Sequence, residues 1–189
     1  MANWALTSYR IEGEQKDLQE LFDLCKAFDT GERPAMTERA DKEWEGNVIL
    51  ALGVDTDGKD LRGFIQTYEL ENGILKIEAQ EAWSVTDFRH LLESHYKNMK
   101  VYFITEEDGC EVYITNDKDS KYFDYRFVVD SCIDGEEGYE EFKTEKDVLE
   151  YVARNLKRKS VTLEDIEQWN EEHECDDDYI NIHEYEVVA

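Results

Sequence analysis

The sequence is poor in nearly every feature that would announce a function. It has a single proline, Pro34, and no stretch rich in Pro, Gly or Ser, so no flexible linker divides it into jointed modules. No uncharged apolar run approaches the roughly 20 residues that span a bilayer. The opening Met-Ala-Asn-Trp-Ala-Leu-Thr-Ser-Tyr-Arg lacks the basic start and apolar run of a signal peptide. Cysteine is sparse: Cys25, Cys110, Cys132 and Cys175 lie far apart with no Cys-x-x-Cys pair. These are expected to be reduced thiols, two or three of them buried, in a soluble cytoplasmic protein. Bases are also scarce, with 21 Lys plus Arg against 47 Asp plus Glu and a formal charge of −26. Such a surface repels a phosphate backbone and an anionic membrane alike, which excludes direct nucleic-acid binding and membrane docking.

Motifs for chemistry are missing as well. There is no Gly-x-Ser-x-Gly, no Gly-x-Gly-x-x-Gly and no P-loop. His90-Leu-Leu-Glu93-Ser-His95 superficially resembles a zinc-protease helix, but its spacing is i, i+5, which turns the two rings about 140° apart. His95 falls on the apolar stripe with Phe88, Leu91 and Leu92, where a packed, hydrogen-bonded ring is expected. Asp55-Thr-Asp57-Gly58-Lys-Asp60 has the flavour of a calcium loop. Placing Gly58 at position 6 of an EF-hand puts Gly53 and Phe64 where two main ligands belong, so a solvated turn is expected. His173, Cys175 and His183 lack the paired ligand spacing of a structural zinc site. With 47 carboxylates, acidic pairs such as Glu106-Glu107 and Glu136-Glu137 say nothing about acid–base catalysis. No catalytic, cofactor-binding or metal-binding residue is assigned.

What is present is a well-patterned core. Hydrophobic residues make up 41% and aromatics 12%, enough for a packed interior. Residues 4–12 alternate into a strand closed by Gly13. Leu18, Leu21, Phe22, Cys25 and Phe28 then follow helical spacing over 14–28. Residues 29–46 read as a long loop whose Trp44 folds back onto the core, and Asn47–Gly53 as a buried strand. Strands at 62–70 and 74–82 flank Glu71-Asn72-Gly73, a strong hairpin signal. A helix over 85–97 is expected to open on a capping box, Ser84-Val-Thr-Asp87. Strands follow at 100–105, 110–115 and 122–130, with a short one at 139–143. Thr144 and Thr162 open two more helices, and 179–188 returns as one last strand. Of Trp4, Trp44, Trp83 and Trp169, three are expected on or beside core faces.

This order predicts an α+β protein with a mainly antiparallel sheet and helices packed on one face. The first hundred residues fit a split βαβ, ferredoxin-like unit. Residues 1–130 form that domain, and 131–189 are an acidic C-terminal extension of two helices and a final strand on the same core.

Three segments carry a family resemblance. Asn3-Trp4 opens a strand ending at Glu12-Gly13; Glu81-Ala82-Trp83-Ser84 precedes a helix; and a later strand ends Tyr102-Phe-Ile-Thr-Glu-Glu107-Asp108-Gly109. Over roughly residues 1–130 this series resembles the YubB-type ferredoxin-like proteins carried on bacterial plasmids, phages and conjugative elements. Ala5 stands where that family has Cys after Asn-Trp, and Glu107-Asp108-Gly109 replaces its Glu-Pro-Gly turn. The resemblance implies a ferredoxin-like fold in a mobile-element setting, without an iron–sulfur cluster and without an assigned activity.

Charge is the remaining feature. After Lys159 there are eleven acidic residues and no Lys or Arg, and residues 106–141 hold thirteen acids against three bases. The plain reading is a solvated surface that keeps the protein soluble. The sharper reading is a non-enzymatic protein that binds a basic partner, such as a DNA-handling protein, through carboxylates including Glu171, Glu172, Glu174, Asp176, Asp177 and Asp178. A carboxylate-based or metal-assisted enzyme, and a small-ligand domain using Trp44 or Trp83, stand as the alternatives. An enzyme needs a deep pocket holding two carboxylates of raised pKa.

Overall fold

The computed structural model describes residues 3–38, 40–83, 85–173 and 177–189. It is an α+β protein whose described residues form five α-helices and two mostly antiparallel sheets. The chain divides into two compact units, one comprising residues 1–118 and 187–189, the other 119–186.

In the first unit, β1 (Trp4–Glu12) leads into α1 (Gln15–Asp29) and the short α2 (Gly46–Ala51). The hairpin β2 (Gly63–Glu71) and β3 (Ile74–Ala82) follows, then α3 (Phe88–His95), β4 (Lys100–Glu107) and β5 (Val112–Thr115). The sheet order is β2-β3-β1-β4-β5-β9, where β9 is Glu186–Val187 near the end of the chain. β1 therefore lies between β3 and β4, antiparallel to both. Each of the two crossovers, β1 to β2 and β3 to β4, skips one strand. Alternation does the sorting: Ala5, Thr7, Tyr9 and Ile11 point inward from β1, and Leu75, Ile77, Ala79 and Glu81 from β3. These pack with Leu18, Leu21, Cys25 and Phe28 of α1 and with Phe88, Leu91 and Leu92 of α3. The hairpin turn has Asn72 and Gly73 at φ 52° and 77°, the double left-handed geometry that Asn-Gly adopts readily.

The second unit builds its own sheet, β7-β6-β8, from β6 (Phe127–Ile133), β7 (Glu136–Phe142) and β8 (Tyr179–Glu184). The helices α4 (Glu145–Asn155) and α5 (Leu163–Glu172) cover it, with Val129, Val148, Val152, Ile166, Trp169 and Ile180 at the centre. Thr144 caps α4. Thr162 and Asp165 form a reciprocal capping box at α5, each accepting the other's backbone N–H.

Several expectations need correcting. The run expected as a strand over Asn47–Gly53 is instead the body and end of helix α2, because a short apolar run fits either structure and here the flanks decide. Gly53 at φ 74° sits just past the helix, and its N–H and that of Val54 bond the carbonyls of Leu50 and Ile49. The Asn47 side chain accepts the Met36 N–H and donates to the Asp41 carbonyl, tying the preceding loop to this helix. The expected last strand is two: Tyr179–Glu184 pairs with β6, Tyr185 is buried, and Glu186–Val187 joins the other sheet. The helix expected over 85–97 is shorter. Asp87 spends its carboxylate on the Asp60 N–H rather than on a cap, and Ser84 lies outside the described residues. His95 is exposed: the helix ends there, Tyr96 turns extended and enters the core, and the imidazole stands perpendicular to the Tyr96 ring at 4.6 Å. Of the thiols, Cys25 is buried, Cys132 half-buried and Cys110 exposed, while Cys175 falls outside the described residues.

Because Thr162 satisfies an orphan amide of α5, Thr162→Ala is expected to destabilise the second unit by about 1 kcal/mol. Urea unfolding followed through Trp169, buried in that unit's core, reads the change; Thr162→Ser should lose only a small part of it.

Candidate functional site

The three segments that stood out in the sequence meet at one end of the first unit's sheet. Trp4 lies opposite Ala82 in the β1–β3 ladder, and the Trp83 N–H donates to the Asn3 carbonyl at 3.1 Å. The Asn3 side-chain amide reaches Cys110 Sγ at 2.7 Å, beside Gly109 in the turn after β4. On the face away from the helices this end is aromatic and open. Trp4 is 47% exposed, Trp83 55% and Leu6 59%. Phe64 packs edge-on against Trp4 at 5.7 Å, and the Arg62 guanidinium lies 4.8 Å above the Trp83 ring. Trp83 holds φ 60°, a left-handed backbone that bulky residues rarely adopt and that surrounding structure must enforce. Glu106 stands opposite Leu6, with exposed Asp108 and Glu111 in the turn beyond, so acid borders the aromatic end.

On the opposite face of the same strand ends lies a buried acid pair. Glu45, one residue before α2, and Glu81, near the end of β3, are both fully buried. Glu81 accepts from Thr7 Oγ1 at 2.6 Å, from the Tyr9 hydroxyl, and from Thr86 Oγ1 at 3.3 Å. Thr7 and Thr105 share a further hydroxyl bond at 2.6 Å. Glu45 accepts the Gly63 N–H at 3.0 Å, and its Oε2 has no hydrogen-bond partner among the described residues. Gly63 is required by this carboxylate, because a Cβ there would stand 2.3 Å from Oε2. Burial drives the Glu45 pKa well above the usual carboxylate range, and the Glu81 charge adds to the rise. Burial raises Glu81 too, but three hydroxyl donors oppose it. Both carboxyls are thus pushed toward the protonated form, with burial the largest cause for each. Tyr9 is held neutral by burial and by Glu81.

Raised carboxylates thus exist, but neither has exposed surface from which to reach a substrate, as acid–base catalysis requires. Among the described residues, no group of three or more His, Cys, Asp or Glu side chains is placed to hold a metal ion. Asp55 accepts the Asp57 N–H in a local turn. His173 stacks on Trp169 at 4.1 Å, away from any ligand set, and His183 stands on β8. Cys25 lines a small cleft of about 150 Å³ beside Trp44 and Tyr68, and burial pushes its thiol up to about 12, leaving it inert.

The acidic residues expected to face a partner have mixed surroundings. Glu171 and Glu172 end α5, exposed, and Asp177 is exposed. Asp178 instead holds the β6–β7 turn, accepting the N–H groups of Asp134 and Gly135. Glu174 and Asp176 lie outside the described residues. The expectation that three tryptophans serve the core is corrected: Trp169 is buried and Trp44 half-buried, its Nε1–H on the Leu61 carbonyl, but Trp4 and Trp83 are open. Strand parity carried that signal. If Tyr9 and Ile11 face in, Trp4 must face out, and Glu81 must face in with Ile77 and Ala79.

Glu45 keeps its proton when folded and loses it when unfolded above the ordinary glutamate value near 4.3. Below that pH both states are protonated and nothing is lost; as pH rises toward the folded value, stability falls. Glu45→Gln should flatten this slope and stabilise the protein at pH 8 relative to pH 5 by on the order of 1–3 kcal/mol, read by denaturant unfolding at both pH values. No protein-family model matches the chain, and no curated protein matches it either.

Proposed function

We propose that this is a non-enzymatic binding protein of the YubB-type, ferredoxin-like kind, cytoplasmic and borne on a bacterial mobile element, that captures a basic protein partner on the aromatic end of its first sheet. The sheet order β2-β3-β1-β4, with two helical crossovers that each skip one strand, supports the ferredoxin-like reading. So does the meeting of Asn3-Trp4, Ala82-Trp83 and Asp108-Gly109 at one place.

The observation that carries the binding role is the exposed group of Trp4, Leu6 and Trp83, with half-buried Phe64 packed against Trp4, beside an acidic border. Trp and Tyr anchors dominate association energies, and charges around them steer and select partners. A chain of −26 charge admits a basic occupant with apolar anchors and turns away acidic ones. DNA-handling proteins have that chemistry. A carboxylate enzyme is the weaker reading, because the pair with raised pKa is sealed.

Trp4→Ala with Trp83→Ala removes the anchors from exposed positions and should leave the fold intact by circular dichroism. Wild type and variant, immobilised and exposed to host lysate at low and at high salt, are compared by mass spectrometry. The expected result is a basic protein held by wild type at low salt, released at high salt, and retained at least about 30-fold less well by the variant, the equivalent of one strong hot spot. Equal retention by both chains, or none by either, overturns the reading.

A further inference from the structure

The second unit carries a local inversion of charge. Four of the chain's 21 Lys and Arg residues fall within Arg154-Asn-Leu-Lys157-Arg158-Lys159, at the end of α4 and just beyond it. An open cleft of about 700 Å³ runs along this helix. Leu149, Ala153 and Val161 give it an apolar floor, and Lys146, Arg154, Arg158, Lys159 and Ser160 line its walls. Its acids are Glu145 and Glu150, and Glu150 is paired to Lys146 at 3.5 Å. Among the described residues no ion pair engages Arg154, Arg158 or Lys159; Arg158 only adds its field to Asp165.

Two facts argue for more than scattered solvated bases. The helix dipole accounts for a cation in the last turn, hence for Arg154, but its effect fades beyond that turn, where Arg158 and Lys159 lie. The backbone carrying them is also fixed at both ends. Lys157 turns left-handed at φ 55°, and the Arg158 N–H donates to the Ala153 carbonyl at 2.8 Å, closing α4. Four residues later Thr162 caps α5. Arg158 and Lys159 thus sit on a short anchored strap rather than a loose loop, and Arg154 stands on the helix that leads into it.

We infer that this cleft is a binding site for a phosphorylated small molecule, independent of the aromatic end. Guanidinium forks match phosphate oxygens in paired hydrogen bonds, the Ser160 hydroxyl adds a donor, and the apolar floor takes the remainder of the ligand. The volume suits one small ligand. A nucleic-acid strand, by contrast, meets the repulsion of the whole −26 chain. A single compact anion within about 8 Å of the cations is governed by them at physiological salt, because more distant carboxylates are screened.

The test is titration of the intact protein with adenosine monophosphate and, separately, with inorganic phosphate, followed by amide and Arg side-chain NMR shifts. Saturable shifts confined to 146–161, with the ester binding more tightly than phosphate, are expected. Phosphate binding as tightly as the ester would reassign the site to the free anion and overturn the role of the apolar floor. Arg154→Gln with Arg158→Gln, both exposed, should weaken binding at least tenfold, whereas Lys97→Gln with Lys143→Gln should leave it unchanged. No saturable shift with either probe at millimolar concentration overturns the inference, and so does equal loss in both double variants.

Discussion

Strand β1 is the element on which the first unit depends. It pairs antiparallel with β3 over Trp4–Ile11 and with β4 over Leu6–Glu12, so strands distant in sequence share one ladder through it. That double pairing fixes the parity of every residue on three strands. A one-residue slip would turn Tyr9 and Ile11 into solvent and bring Ser8 and Arg10 into the core. The same constraint decides what lies on the outer face. Trp4 and Leu6 are exposed not because the region is loose but because their neighbours Ala5 and Thr7 are needed inside.

The buried acid pair is the least expected consequence of this parity. Two carboxyl groups removed from water, with no ion pair to either among the described residues, cost far more as charges than in protonated form. Thr7, Tyr9 and Thr86 supply hydroxyls that oppose the rise caused by burial of Glu81, and Gly63 leaves room for Glu45. Replacing the group by apolar residues of similar shape would be expected to stabilise the fold. What the polar group offers in exchange is directionality. Each hydrogen bond specifies an orientation between β1, β3 and the segment entering α3, where hydrophobic contact alone specifies only proximity.

Most of the fold was legible where local chemistry has one solution. Asn72-Gly73 allowed only a tight hairpin, and the spacing of Leu18, Leu21, Cys25 and Phe28 allowed only a helix. Asn47–Gly53 is ambiguous in sequence because a run of apolar residues has no period, although Gly53 is a helix-ending signal. The division of the last strand was not legible, since Tyr179–Val188 alternates continuously and only the pairing partners change at Tyr185. Glu45 and Glu81 were hidden among 47 acids, and of the two only Glu81 carried a clue, in its inward phase on a patterned strand. The two open tryptophans defy the general preference for burying large rings; strand parity, which places Trp4 opposite in phase to Tyr9 and Ile11, is the stronger signal.

The placement of the acid pair directly behind the aromatic end has a physical logic. Glu81 faces inward, Ala82 is buried opposite Trp4, and Trp83 leaves the strand with a left-handed backbone. Three hydroxyl donors on Glu81 therefore anchor the chain two residues before an exposed indole. Arg62 stacks on that indole, and the strand it leads into is tied to the pair through the Gly63 N–H and Glu45. An exposed ring on an anchored backbone has little conformational freedom left to lose when another molecule covers it, and that lost freedom is one of the main costs of association. Hydrogen bonds that are costly for folding stability are thus placed where rigidity of the outer surface has the most effect on binding.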